Sequence, residues 1–156
     1  MNQSRRQSLR ATAGIGLYGA LAAIGLLPAS EAAAQQFSAT AFQAKTVADA
    51  MKALGAAAPA ESTDVVIVAP DIAENGAVVP VGIKSGLPNT QFIALLVDKN
   101  PSVLAGAYDI LPGAEPEVHM RVKMGQSADV YAVVRADGKF YVARKEIKVT
   151  LGGCGG

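Results

Sequence analysis

The sequence predicts an all-β fold: an immunoglobulin-like antiparallel β-sandwich with a short N-terminal helix and a flexible C-terminal tail. Seven runs of β-branched and aliphatic residues follow one another at turn spacings of about 8–12 residues, as in small β-sandwiches. The clearest pair of runs flanks Asp137-Gly138, a dipeptide that favours the type I′ turn of a β-hairpin. With one cysteine and no tryptophan, the chain lacks the Cys…Trp…Cys signature of a true immunoglobulin domain. Its 156 residues, 51% of them apolar, fit one small domain.

Residues 1–34 are predicted to be a cleaved export signal. Residues 1–10 contain three arginines and no acid, and an uncharged stretch rich in Ala, Leu, Ile and Gly follows them. The pair Arg5-Arg6 resembles the twin-arginine signal, and Ala32 and Ala34 offer an A-x-A cleavage site. The glycines dilute the apolar stretch, which makes it a poor membrane anchor. We therefore expect a periplasmic protein without a stable membrane anchor, exported by the twin-arginine route.

The next predicted element is a short helix over residues 46–55, at the start of the domain that spans residues 35–150. Thr46 is a suitable N-cap, with Asp49 three residues further on, and apolar residues spaced three and four apart share one face. Gly55 can adopt the left-handed conformation that ends a helix.

The strands are predicted from runs of apolar residues that are separated by turn-forming residues. These runs are residues 64–69, 77–84, 91–98, 103–111, 117–124, 129–136 and 140–150. Between the first two runs, Asn75-Gly76 predicts a type I′ hairpin turn. Pro80 lies inside the second run and predicts an edge strand or a bulge, because proline has no N–H to donate to a neighbouring strand.

The chain ends in residues 151–156, which contain the only cysteine, Cys154, with Gly152, Gly153, Gly155 and Gly156 around it. Glycine has the largest backbone freedom of any residue, so this composition predicts a flexible arm that projects from the end of the last strand. Five residue steps from Val149 give the thiol a reach of about 17 Å at roughly 3.3–3.6 Å per step. The thiol is thereby able to enter a deep cleft on another protein.

The sequence around Cys154 contains nothing that would activate its thiol. No His, Lys or Arg lies within five residues, and the C-terminal carboxylate two residues away favours the neutral thiol. The pattern indicates a site that carries a substrate, with catalysis supplied by other proteins, so we predict no catalytic residue in this chain. With a single cysteine and a single histidine it also lacks most sets of metal ligands, so we predict no metal site.

Two alternatives of different classes remain open from the residues alone. The first is a non-catalytic β-sandwich interaction protein whose C-terminal thiol is incidental. The second is a diglycine-type thiocarboxylate sulfur carrier, because Gly155-Gly156 also ends the small carriers whose terminal carboxylate is adenylated. That chemistry needs ATP in the cytoplasm, which conflicts with an exported chain.

The remaining polar residues do not form a recognisable site. His119 lies inside a predicted strand, where a lone histidine is more often exposed or hydrogen-bonded than a ligand or a base. Arg144, Lys145 and Lys148 share a strand with Glu146, which is typical of a solvated face or a partner-docking surface. With a net charge of +1 and no basic stripe, the chain is not predicted to bind nucleic acid.

Several segments together resemble the Y-subunit family of the sulfur-oxidation (Sox) system, the thiosulfate-oxidation carriers. These segments are the export signal, Glu74-Asn75-Gly76, Val79-Pro80-Val81, Asn100-Pro101, Asp137-Gly138-Lys139 and the terminus from Val149 through Gly-Gly-Cys-Gly-Gly. The resemblance spans essentially the whole chain, and the terminus is its most specific part.

The resemblance implies that Cys154 is the covalent attachment site for substrate and that the chain itself holds no cofactor. It implies a heterodimer with the Z subunit, and reactions with three partners: the AX haem enzyme, the B hydrolase and, where present, the CD sulfane dehydrogenase. In this reading the AX enzyme couples thiosulfate oxidatively to the cysteine, the hydrolase releases sulfate, and the dehydrogenase oxidises the remaining outer sulfur.

Overall fold

The structure is a computed structural model whose description covers residues 39–150. Within these residues the chain is helical at residues 39–43 and in α1 (Val47–Ala53). The strands are β1 (Ala60–Glu61), β2 (Val65–Val68), β3 (Ile72–Ala73), β4 (Val79–Ser85), β5 (Thr90–Val97), β6 (Leu104–Asp109), β7 (Glu117–Val122), β8 (Ala128–Ala136) and β9 (Lys139–Val149). None of the helices in this part of the chain has the length and apolar character needed to cross a membrane.

The strands form two sheets. The larger sheet has the order β1-β9-β8-β5-β6, and β3 pairs with the far end of β9. The smaller sheet has the order β2-β4-β7 and is antiparallel throughout. The predicted all-β sandwich is therefore confirmed, with one departure from antiparallel pairing. The two-residue strands β1 and β3, which periodicity cannot detect at that length, both run parallel to β9.

The large sheet is buried on both faces. In β5, Ile93, Leu95 and Val97 pack into the core between the two sheets. The alternate residues of the same strand, Phe92, Ala94 and Leu96, pack into a second core on the opposite face. That second core includes Ala50 and Leu54 of the helical segment. The domain thus has three layers (helices, large sheet, small sheet), and β5 is apolar from Phe92 to Val97 because both of its faces are covered there.

The predicted helix is confirmed with its caps. The Thr46 hydroxyl accepts a hydrogen bond from the Asp49 backbone N–H at 3.1 Å, which satisfies one of the free donors of the first turn. The helix ends at Ala53 with Leu54 as its C-cap, and Gly55 has the positive φ of 78° expected just beyond a helix end.

All seven predicted strands are present, but the predicted hairpin at Asn75-Gly76 is wrong. Strands β2 and β4 do pair antiparallel, yet the chain between them first passes through β3 on the large sheet. Asn75 and Gly76 lie in the loop that returns from β3, and neither has a positive φ. The Asn75 side chain accepts a hydrogen bond from the Ala77 N–H at 2.9 Å, which forms a local Asx turn in place of the type I′ turn.

Pro80 lies in β4, the central strand of the small sheet, so the prediction of an edge strand is also wrong. Its position is nevertheless compatible with proline. On one side Pro80 pairs with Arg121 of β7, while the pairing with β2 ends at Gly82. At Pro80 the strand therefore has a single neighbour, and the missing N–H costs no bond to β2.

Candidate functional site

The residues predicted to carry the chemistry, Cys154 and the glycines around it, lie outside residues 39–150, as does the predicted export signal. The structure describes instead the place from which this segment leaves the domain. That place is the end of β9, beside β3 and the loop between β7 and β8 (residues 123–127).

The last backbone N–H groups of β9 and the one that follows it donate to acceptors that lie alternately on the two sides of the strand. The Lys148 N–H donates to the Asp71 carbonyl at 3.0 Å, and the Thr150 N–H donates to the Ala73 carbonyl at 3.1 Å. Between them, the Val149 N–H points the other way and donates to the Ser127 hydroxyl oxygen at 2.9 Å. We call the group Ala73, Ser127, Val149 and Thr150 the arm root.

The loop that carries Ser127 is itself held by three contacts from other parts of the chain. The Met124 N–H donates to the Gly76 carbonyl at 2.7 Å. The Asn100 side-chain amide donates to the Lys123 carbonyl at 2.8 Å, and the Lys99 ammonium group reaches the Ser127 carbonyl at 3.5 Å. Segments that are far apart in the sequence thus meet at one end of the sandwich.

Gly76 is required at this end by a close approach of backbones. A Cβ atom on Gly76 would overlap the carbonyl oxygen of Met124, and it would lie 2.8 Å from a methyl group of Val149. The first of these neighbours is backbone, which cannot rotate away. A larger residue at this position therefore has to displace either the loop of Ser127 or the end of β9.

Anchoring through Thr150 shortens the reach deduced from the sequence. Four residue steps separate Thr150 from Cys154, so the thiol can lie at most about 14 Å from the last anchored residue at roughly 3.3–3.6 Å per step.

His119 does not lie at the arm root. It projects from β7 onto the outer face of the small sheet, where its side chain is 65% exposed. Its Nε2 atom lies 2.7 Å from the Glu117 carboxylate, and the Lys84 ammonium group lies 3.2 Å from the same carboxylate. The hydrogen bond with His119, followed by that with Lys84, lowers the pKa of Glu117, and Glu117 in turn raises the pKa of Lys84. This arrangement agrees with the prediction of an exposed, hydrogen-bonded histidine.

The same outer face carries an open groove of about 670 Å³. Val68 and Pro70 line one side of it, and Pro80 and His119 are among the residues of the other side. Val66 and Val68, on the outward face of β2, are 48% and 55% exposed. The groove is open, and its lining is mainly apolar.

The described residues offer few groups for a metal ion. Residues 39–150 hold no cluster of three or more His, Cys, Asp or Glu side chains that could ligate one. Met124, which follows β7, is only 1% exposed and packs between the sheets, so it is turned away from the exposed His119.

Two of the basic residues of β9 are paired with acids. Arg144 lies 3.3 Å from Asp129, and Lys145 lies 3.0 Å from Asp71 while also donating to the Ala69 carbonyl. Because Arg144 and Lys145 are adjacent in the strand, they lie on opposite faces of the large sheet, so the basic residues of β9 do not form a single charged face.

Three comparisons bear on what this architecture is. The family model described as "Sulfur oxidation protein SoxY" matches residues 50–154, a range that includes Cys154. The solved structure of the sulfur carrier protein SoxY from Chlorobium limicola f thiosulfatophilum is 39% identical, with a TM-score of 0.62, and the match covers 68% of this chain and 97% of that one. No curated protein matches the chain.

A second group of similar structures consists of superoxide reductases (neelaredoxins) from Ignicoccus hospitalis. One of them is 29% identical with a TM-score of 0.51, and the match covers 58% of this chain and 83% of that one. Another is also 29% identical, with a TM-score of 0.50, and the match covers 64% of this chain and 87% of that one. The sandwich is thus shared with proteins that are named for a different activity, so the fold alone does not identify a function.

Sequence reasoning found Cys154 but missed the arm root. Ser127 lies two residues before a predicted strand, where a serine is ordinarily a turn residue. Glu74-Asn75-Gly76 and Asn100-Pro101 were recognisable as segments shared with a family, but nothing in their sequence shows that they lie beside the end of β9.

Proposed function

The chain belongs to the SoxY family of sulfur oxidation proteins, and from this premise we propose that it carries thiosulfate-derived intermediates covalently on Cys154. The observation that supports this most is that the family match extends to Cys154, the single thiol of the chain. The 39% identity over 97% of a protein described as a sulfur carrier supports it further.

In the proposed cycle the AX haem enzyme first joins thiosulfate to the cysteine. The Cys154 thiolate and the outer sulfur of thiosulfate form an S–S bond, and two electrons pass to the haem partner. The B hydrolase then adds water across the bond between the outer sulfur and the sulfonate group, which releases sulfate and leaves a persulfide on Cys154. Where a CD sulfane dehydrogenase is present, it oxidises the outer sulfur to a sulfonate, with water as the oxygen source and its own redox centre as the electron acceptor.

This chain's own contribution is to hold and present the sulfur atoms. A thiol without a basic neighbour remains mostly protonated at neutral pH, so each partner has to activate it within its own active site. The glycines on both sides of Cys154 remove side chains that would obstruct a narrow channel. The chain is therefore a substrate carrier, and the partner enzymes supply the catalysis.

The proposal includes the location and the main partner. Residues 1–34 direct export by the twin-arginine route, and the carrier works in the periplasm as a heterodimer with the Z subunit. The open apolar groove on the small sheet and the exposed Val66 and Val68 are consistent with a domain that is partly covered by another protein.

The experiment that tests the proposal is intact-mass measurement of the mature protein after incubation with thiosulfate and the partner enzymes. We expect adducts on the wild-type protein, at masses that correspond to thiosulfonate and persulfide, and none on Cys154→Ser. The same adducts on Cys154→Ser would contradict the assignment of the site.

Two further variants separate the alternatives. Gly153→Val keeps the thiol and narrows the conformational freedom of the arm, so adduct formation should become slower with every partner while the fold is unchanged. An added C-terminal tag would abolish the chemistry of a thiocarboxylate carrier, because that chemistry needs the free terminal carboxylate. A cysteine carrier should still form its adducts when it is tagged.

A further inference from the structure

We infer that Ser127 is a positioning residue for the carrier arm: its hydroxyl fixes the point at which β9 ends and the arm begins. The effect of Ser127 on substrate transfer rests on the proposed function, but the hydrogen bond that holds the end of β9 does not depend on that function. The Ser127 hydroxyl oxygen accepts the hydrogen bond of the Val149 N–H at 2.9 Å, and both residues are partly buried.

The backbone pairing shows why a hydroxyl is needed there. The pairing of β8 with β9 ends at Ala128 and Ile147, so Val149 extends two residues beyond the last paired residue. In an extended strand, successive N–H groups point to opposite sides. The Lys148 and Thr150 N–H groups point to β3, whereas the Val149 N–H points to the side where β8 has ended. The Ser127 hydroxyl supplies the acceptor that a longer β8 would have provided.

The position of that hydroxyl depends on remote supports. The Asn100 side chain holds the Lys123 carbonyl, and the Lys99 ammonium group contacts the Ser127 carbonyl. Because Gly76 has no side chain, its backbone can approach that of Met124, and the Gly76 carbonyl accepts a hydrogen bond from the Met124 N–H. The loop of residues 123–127 is thus fixed near both of its ends, and Ser127 is held in place rather than free to follow β9.

The consequence concerns the length of the tether. When the hydrogen bonds of the arm root are formed, four residue steps link Thr150 to Cys154. If Val149 and Thr150 detach, the last anchored residue is Lys148 and the tether gains two steps. The effective concentration of a tethered group falls roughly as the −3/2 power of tether length, so this change lowers it about twofold. The residue from which the arm extends is then also no longer held at one position relative to a docked partner.

The test uses the full mature chain and three variants. Ser127→Ala removes the acceptor, and Ser127→Thr retains a hydroxyl at the same position. Ser62→Ala is the matched control, because the Ser62 hydroxyl also accepts a backbone N–H, that of Asp64, at 3.2 Å in a distant turn. We expect amide hydrogen exchange at Val149 and Thr150 to become about fivefold to tenfold faster in Ser127→Ala. Ser127→Thr and Ser62→Ala should leave it unchanged.

The functional measurement compares two reactions of the same thiol. Transfer of thiosulfate to Cys154 by the AX partner should become slower by up to about twofold in Ser127→Ala, while alkylation by iodoacetamide should proceed at the wild-type rate. Insertion of two glycines between Thr150 and Leu151 should slow the transfer to a similar extent and leave exchange at Val149 unchanged. If Ser127 served only the stability of the fold, the two-glycine insertion would not be expected to slow the transfer as Ser127→Ala does.

If amide hydrogen exchange at Val149 and Thr150 is unchanged in Ser127→Ala, the Ser127 hydroxyl does not hold the end of β9, and the inference is wrong. Faster exchange with an unchanged transfer rate would overturn the positioning role. The proposed function has a separate failure: wild-type protein that forms no adduct at Cys154 refutes the carrier, whatever the exchange measurement shows.

Discussion

The two ends of β9 are held in different ways. At its start, Asp137 and Gly138 adopt the positive φ values of 48° and 73° that a type I′ turn requires, and the pairing with β8 begins at the next residue. At its end, Val149 and Thr150 are held by Ser127 and Ala73, which lie 22 and 77 residues away in the sequence. A substitution far from the arm can therefore alter the end of β9. The start also has one remote contact, because the Asn89 side-chain amide donates to the Asp137 carboxylate at 2.9 Å, but its backbone geometry is set by the two adjacent residues Asp137 and Gly138.

The largest effect is expected from Gly76→Ala, which tests the arm-root end. The new Cβ would overlap the Met124 carbonyl and press on Val149, so the backbone must shift. We expect the free energy of unfolding to fall by about 3 kcal/mol, with faster amide exchange at Val149 and Thr150. Chemical denaturation and hydrogen exchange measure the two effects.

The matched control for this substitution is Gly125→Ala, in the loop that carries Ser127. A Cβ at Gly125 meets no atom within 4 Å, and the residue has no positive φ. This variant should have nearly wild-type stability. If Gly76→Ala is no more destabilising than Gly125→Ala, the close approach at the arm root is not a constraint.

A smaller effect is expected at the other end of β9 from Gly138→Ala. A Cβ there has open space, so the only cost is the left-handed backbone, about 1–2 kcal/mol for an L-residue. Exchange at Val149 should not change relative to the rest of the sheet. Gly138→Asn should recover part of the lost stability, because Asn tolerates this conformation. Selective loosening of Val149 in Gly138→Ala would show that the two ends are coupled.

The smallest effect is expected on the outer face of the small sheet, which touches neither end of β9. The pKa of Glu117 is lowered in the fold, so the carboxylate contributes stability above its unfolded pKa near the usual 4.5 and loses that contribution as the pH falls through the folded value. Glu117→Gln should therefore be slightly less stable than wild type at pH 7. The difference should shrink as the pH falls below about 4.5.

Urea denaturation between pH 3 and pH 7 measures this difference. The largest cause of the shift is the hydrogen bond with His119, so the effect of Glu117→Gln should be smaller in a His119→Ala background. An equal effect in both backgrounds would show that Lys84 alone accounts for the stabilisation.

Much of the fold was predictable because its signals are local. The cap at Thr46, the helix stop at Gly55 and the turn at Asp137-Gly138 depend on residues within a few positions of one another. The seven longer strands were found within a few residues of their ends, since apolar runs and turn residues mark them directly.

The failures of prediction lie where the chain crosses between sheets. Asn75-Gly76 has the composition of a hairpin turn, but two residues of β3 pair with β9 before the chain reaches it, and Gly76 serves a close approach to Met124 instead. Pro80 is tolerated in a central strand because β2 is too short to reach it. Both outcomes depend on where a neighbouring strand ends, which no local pattern records.

By itself, the sequence determined the all-β class, the order of the strands along the chain and the candidate carrier residue, Cys154, because composition and short-range spacing express these directly. Only the tertiary structure decided the three layers, the two short parallel strands and the anchorage of the arm. The physical reason is that each hydrogen bond at the arm root joins residues from separate strands and loops. Their proximity results from the packing of the two sheets, and it has no signature in any one segment.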